Sequence, residues 1–166
     1  MILTCATLIG GYYAYLSMEY WVHRMSHQKW SGYIYRLHMD HHLNTYPPEK
    51  PIDTYPYKTS ENTYLTKGVL GSLLPISSIV TSIYYCVPYY YNHILILEFI
   101  SLLLISNYLH EQYHIEGSYL ERFPWFLKNR EYHHIHHRLF RYNFMLGGFD
   151  ATMDRRLVQV ADPGVG

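Results

Sequence analysis

The sequence predicts an all-α integral membrane helical bundle, with about three to four membrane-embedded helices and a cytoplasmic His-rich helical cap. Three observations carry this. Long stretches hold no charged side chain, all 13 Lys and Arg fall into two blocks, and eleven of the 12 histidines sit just beyond apolar runs on one side. With 166 residues, the chain reads as a single domain over residues 1–157, followed by a frayed tail over 158–166.

The first run, Met1 to Met18, is uncharged and extends toward Trp21. It lacks the basic flank and small-residue cleavage site of a signal peptide. The second, Gly68 to Leu97, is an uncharged run of 30 residues; after Glu98 the chain stays apolar to Tyr108. A span takes roughly 20 apolar residues at about 1.5 Å each, so Gly68–Tyr108 suits two spans. Val87-Pro88 through Asn92 is the turn between them, with tyrosines suited to the headgroup layer. Between the first and second spans, Leu43 to Lys67 contains Pro47, Pro48, Pro51 and Pro56, and reads as a loop over the wet face. The cation blocks, Arg24–Lys67 and Arg122–Arg156, then share one side, which the positive-inside rule makes cytoplasmic.

Composition excludes some functions. The formal charge is zero, against the basic stripe a nucleic-acid partner needs. Cys5 and Cys86 form no C-x-x-C pair, so no disulfide framework is indicated.

The histidines form four clusters. His23 and His27 make H-x-x-x-H; His38, His41 and His42 make H-x-x-H-H; His110 and His114 repeat the first pattern; His133, His134, His136 and His137 contain the second again. Residues three or four apart share a helix face, so each cluster aims two or three imidazoles one way. Metal ions need such convergence, with bonds of about 2 Å. One metal uses at most a few of these donors, so two metals fit the count. Imidazole suits iron, zinc, copper or nickel, of which a dioxygen-activating pair requires a redox metal.

His93 stands apart at the opposite surface. Glu98, the one acid inside a span, reads as a structural residue near the far surface. A non-catalytic membrane metal-binding or transport protein is one alternative; transport places its ligands near the midplane rather than beyond one end. A haem protein is another, but needs only one or two axial histidines per site.

This order of histidine boxes is similar to that of the integral-membrane fatty acid hydroxylase and sterol desaturase superfamily, over about Glu19 to Leu157. Tyr35 to His42 resembles its second box; Asn143-Phe144, Asp150 and Asp154-Arg155 resemble the segment after its last box. The aromatic-Gly ending common in that family is absent, as is a fused haem-binding His-Pro-Gly-Gly box.

The resemblance implies two iron ions, replaceable by zinc on purification, held by His23, His27, His38, His41, His42, His110, His114, His133, His136 and His137. It implies an oxidoreductase of lipid biosynthesis. Such an enzyme uses O2 and electrons from an external NAD(P)H-linked donor, through a small membrane cytochrome and its reductase. A membrane lipid C–H bond would be hydroxylated or desaturated, in the endoplasmic reticulum if the source is eukaryotic. The Asn44-Thr45-Tyr46-Pro47-Pro48 run resembles acyl-chain hydroxylases and favours a fatty acyl or sphingolipid chain; the short first box is shared with sterol-modifying enzymes. Glu19, four residues before His23, is expected to accept its free N–H; Asp150 and Asp154 are expected to orient box histidines or cap a helix. His134, about 100° off the face of His133 and His137, is expected beside the ligands or as an alternate ligand.

Overall fold

The computed structural model describes residues 2–53, 69–143 and 148–157, and every regular element among them is helical. Helix α1 spans Ile2–Ser26. It ends where the Ser26 hydroxyl donates to the His23 carbonyl at 2.6 Å, a bond that competes with continuation of the backbone ladder. A single 3-10 turn, Lys29–Ser31, leads to Gly32 at φ 62°, whose left-handed conformation reverses the chain into α2, Tyr33–Asp40. Helix α2 runs on into a wider π-helical turn, His41–Thr45, closed by the Tyr46 N–H on the His41 carbonyl.

The long apolar region forms the expected hairpin. Helix α3 is Val69–Cys86 and α4 is Tyr89–Tyr113. Pro88, at φ −52°, precedes the first turn of α4 and cannot continue α3. Asn92 locks the turn from inside, donating to the Tyr84 carbonyl at 3.1 Å. Helix α1 packs along α4, with Tyr15, Leu16 and Phe99 forming the buried contact and Ile79, Val80, Ile83 and Phe149 packed around it. Gly11 lets the two helices approach closely, since a Cβ there would meet the side chains of Glu98 and Leu95. Glu98 therefore points into the α1–α4 seam.

Helix α4 is 25 residues long, and it is the one helix among the described residues long and apolar enough to cross a membrane. Ile76–Cys86 within α3 is a shorter apolar stretch. Leu97 and Leu104 on α4 are 68% and 64% exposed, an arrangement unlike the core helix of a water-soluble domain.

Beyond α4 the chain turns at Gly117, φ 73°, into a 3-10 turn, Tyr119–Arg122. Ser118 and Glu121 cap it reciprocally. Pro124 then opens α5, Pro124–Arg138, where a missing N–H costs nothing. Buried Arg130 pins α5 to the end of α4 by donating to the Glu121 carboxylate at 2.9 Å and the Ile115 carbonyl at 3.1 Å. A two-bond bridge between Asp53 and the His114–Glu116 segment joins the loop after the π-helical turn to the same place. Helix α6, Gly148–Leu157, closes the bundle. The expected loop over 43–67 is seen only to Asp53, and the expected tail over 158–166 lies outside the described residues.

Candidate metal centre

The four clusters meet at one end of the bundle. His23 and His27 come from the last turn of α1 and the residue beyond it; His38, His41 and His42 from α2 and the π-helical turn; His110 and His114 from the end of α4; the rest from the last turns of α5. They sort into two groups of donors, each with ligand atoms within 4.8 Å of one another. One is His23, His27, His38, His42 and His136; the other is His41, His110, His114 and His133.

The sorting is not cluster by cluster. His41 leaves its neighbours for the second group, and His136 leaves α5's other histidines for the first. Adjacent helical positions diverge by about 100°, so one H-H pair serves two centres. His137 lies between the groups, its ring 4.1 Å from that of His42 and its Nε2 3.2 Å from Nε2 of His133.

In the first group, four Nε2 atoms form a closed ring. His27–His136 is 3.3 Å, His136–His42 3.1 Å, His42–His38 2.9 Å and His38–His27 2.8 Å. Hydrogen bonds alone cannot explain it. The Nδ1 of His136 lies 2.5 Å from the Tyr142 carbonyl, which can only accept, so that nitrogen carries the proton and Nε2 presents a lone pair. Each neutral imidazole has one N–H, so at most two of the four edges can be linear N–H···N bonds. A central cation would satisfy all four lone pairs. Corners of a square with edges of about 3 Å lie about 2.1 Å from its centre, the length of a metal–imidazole bond. Both ring nitrogens of His23 are buried beside this ring and make no hydrogen bond of normal geometry among the described residues.

The second group repeats the logic. His114 Nδ1 donates to the Pro51 carbonyl at 2.6 Å, and His137 Nδ1 to the Tyr46 carbonyl at 2.9 Å. Both Nε2 lone pairs then face His133 Nε2, at 2.9 and 3.2 Å, and one N–H cannot serve two acceptors well. Carbonyls that fix the tautomer of an imidazole are the usual outer partners of ligand histidines. Burial pulls His27 to about 4 and His137 to about 3, and holds His38, His133 and His136 well below the ordinary range, further depressed by neighbouring histidines. The rings are thus neutral, as ligands must be. The donor chemistry and spacing fit two metal ions.

Three of the expected outer residues, Glu19, Asp154 and His134, are placed differently. Glu19 does not reach His23: its carboxylate accepts from Tyr15 at 3.3 Å and from the Ser106 hydroxyl, bridging α1 and α4. Asp154 contacts no ring either. It accepts from the Tyr20 hydroxyl at 2.7 Å and the Asn143 N–H at 2.6 Å, fastening α6 to α1. Asp150 is buried on the same helix. His134 turns away from both groups, toward the Tyr113 carbonyl at 3.2 Å. The partners that do hold the rings are backbone carbonyls of Tyr46, Pro51 and Tyr142, which no residue type announces. Phe140 was also missed: its ring stacks on His27 at 5.7 Å and meets His42 edge-on at 5.1 Å.

No family model, curated protein or solved structure matches this chain. What its own geometry defines, among the described residues, is a helical, histidine-rich chain with two potential metal sites and one helix long and apolar enough to cross a membrane.

Proposed function

We propose that the chain is a membrane-bound, O2-dependent oxidoreductase that hydroxylates or desaturates a lipid C–H bond at a His-ligated di-iron centre, with a fatty acyl or sphingolipid chain as substrate. The closed ring of four Nε2 atoms, with a second donor group beside it, is the observation that carries this reading. The order of the histidine boxes, which resembles the fatty acid hydroxylase and sterol desaturase superfamily, supplies the reaction class.

One ion would be held by His23, His27, His38, His42 and His136, the other by His41, His110, His114 and His133, with His137 beside them. Bound iron would supply dioxygen activation, using electrons from an external donor. The chain's own contributions follow from its contacts. The carbonyls of Tyr46, Pro51 and Tyr142 hold three Nδ1 protons and so aim three Nε2 lone pairs inward. Burial of nearly every donor ring keeps bulk water away from the reacting centre. The apolar surface of α4 leads from a lipid-facing side toward His110, giving an acyl chain a route that stays out of water.

The test is metal identity and stoichiometry on gently extracted protein made with iron supplied, followed by lipid profiling of expressing cells. About two irons per chain, with new hydroxylated or unsaturated lipids that vanish in His38→Ala, is the expected result. A metal-free chain, or unchanged lipids with full iron, would overturn it.

A further inference from the structure

We infer that the exposed segment Arg138–Arg141, with Phe140 at its centre, is the docking and electron-entry point for a small one-electron carrier with an acidic surface. This rests on the oxidoreductase reading above and adds the place where electrons arrive.

Three observations converge on that segment. First, in the first donor group His27 is the ring that is not fully buried, and Phe140 covers it, stacked at 28° and 5.7 Å. Phe140 also touches His42 and is itself 37% exposed, so one side chain spans from solvent to two candidate ligands. Second, Arg138, Leu139, Phe140 and Arg141 are consecutive and all exposed, an apolar pair between two guanidinium groups.

Third, charge is unevenly distributed in a chain whose total is zero. The stretches Tyr20–Met39 and Tyr132–Phe149, which carry four of the first group's five donors, hold Arg24, Lys29, Arg36, Arg138 and Arg141 and no acid; Asp40 stands beside the fifth donor, His42. The stretch carrying two of the second group's four donors, His110–Glu131, holds Glu111, Glu116, Glu121 and Glu131 against Arg122, Lys128 and Arg130. A basic rim around an apolar contact fits an acidic protein partner, which it would steer and orient. Each encounter would oxidise one carrier by one electron, two encounters delivering the pair that O2 activation consumes. A membrane surface would also accept arginines beside aromatics, but it would seal the one half-open donor from any carrier.

The experiment uses the full chain, metal-loaded and in neutral-lipid nanodiscs, with the acidic soluble haem domain of a cytochrome b5 as probe. Binding is followed by titration, and reoxidation of the ferrous haem by anaerobic stopped flow. Arg138→Glu with Arg141→Glu is expected to weaken binding by about ten-fold or more and flatten its salt dependence. Helicity and metal content should stay unchanged, and Arg122→Glu with Lys128→Glu should change binding by less than about two-fold. Phe140→Leu is expected to keep binding and slow haem reoxidation. Should the double reversal misfold, Arg138→Gln with Arg141→Gln replaces it. Equal binding by all variants, or no binding by the parent protein, overturns the inference. So does loss of anionic-vesicle binding with carrier binding intact, which would make the segment a membrane contact. A chain that takes up no metal would defeat the oxidoreductase reading, while the binding titration still reports on the surface.

Discussion

The Tyr20 hydroxyl donates to the Asp154 carboxylate at 2.7 Å, joining α1 to α6 across 134 positions of sequence. The other oxygen of Asp154 takes the Asn143 N–H, Asn143 returns a bond to the Tyr20 carbonyl, and the adjacent Tyr142 carbonyl holds His136. Asp154 is 1% exposed, so its removal leaves a buried hydroxyl and a buried N–H unpaired. Asp154→Ala is expected to cost about 3 kcal/mol by denaturant unfolding and to lower metal occupancy. Asp154→Asn should recover part of the stability. Unchanged occupancy in a folded Asp154→Ala protein would remove the link to His136.

Metal content should divide by group, not by box. His38→Ala and His136→Ala, from different boxes, are expected each to lose about one metal per chain, with the second group retained. His110→Ala should lose the other. Elemental analysis of paired variants decides it: His38→Ala with His136→Ala should still hold about one metal, and His136→Ala with His110→Ala none; if the second pair still holds one, the exchange of His41 and His136 between groups is wrong.

The helical hairpin and the histidine convergence were legible because their signals are local. Uncharged runs, Pro88 at a turn and i, i+4 spacing need no tertiary knowledge. The division of donors was not legible, because it depends on the π-helical turn at His41–Thr45 and on the long-range approach of His136 to His27. Glu19 misled for the opposite reason. Its spacing from His23 is right for contact, but Ser106 on α4 lies nearer and takes the carboxylate. Backbone carbonyls that orient the rings leave no residue signature at all.

Acid should unfold the metal-free protein early. Each histidine of the unfolded chain takes up a proton near pH 6.5, whereas folded His27 does so at about 4 and folded His137 at about 3, chiefly because of burial. The folded state holds fewer protons in that window. Stability is therefore full above about pH 6.5 and falls as pH drops toward 4, by up to about 1.4 kcal/mol per pH unit for each such ring. Urea midpoints between pH 8 and 4.5 on chelator-treated protein test this. A flat profile would mean that the rings are solvated.

Glu98 has an oxygen that is buried and makes no hydrogen bond among the described residues, in a seam where Gly11 lacks a Cβ. Such a group costs about 1–3 kcal/mol relative to a satisfied one. Glu98→Ala is expected to raise the melting temperature in detergent and leave metal content alone. Gly11→Leu should lower it, and the pair should be non-additive because the two side chains compete for one space. A fall in metal content in Glu98→Ala would give this acid a role at the centre instead.

The exposed face of α4 supplies the most direct test of membrane embedding. Leu97, Leu104 and Ile105 stand 68%, 64% and 53% exposed on the helix that is long and apolar enough to span, and water would penalise each by about 1–2 kcal/mol relative to burial. Hydrocarbon removes that cost without any protein partner. Leu104→Trp, reconstituted in vesicles with brominated acyl chains, is expected to be quenched strongly. In a parallel protein whose native tryptophans are replaced by Phe except Trp30, which is 70% exposed near the histidine end, quenching should be weak. Strong quenching at both positions would lay the histidine end in lipid and close the carrier's approach. Weak quenching at Leu104→Trp would mean that protein covers α4, and a cross-linking screen for a second copy along that face would follow.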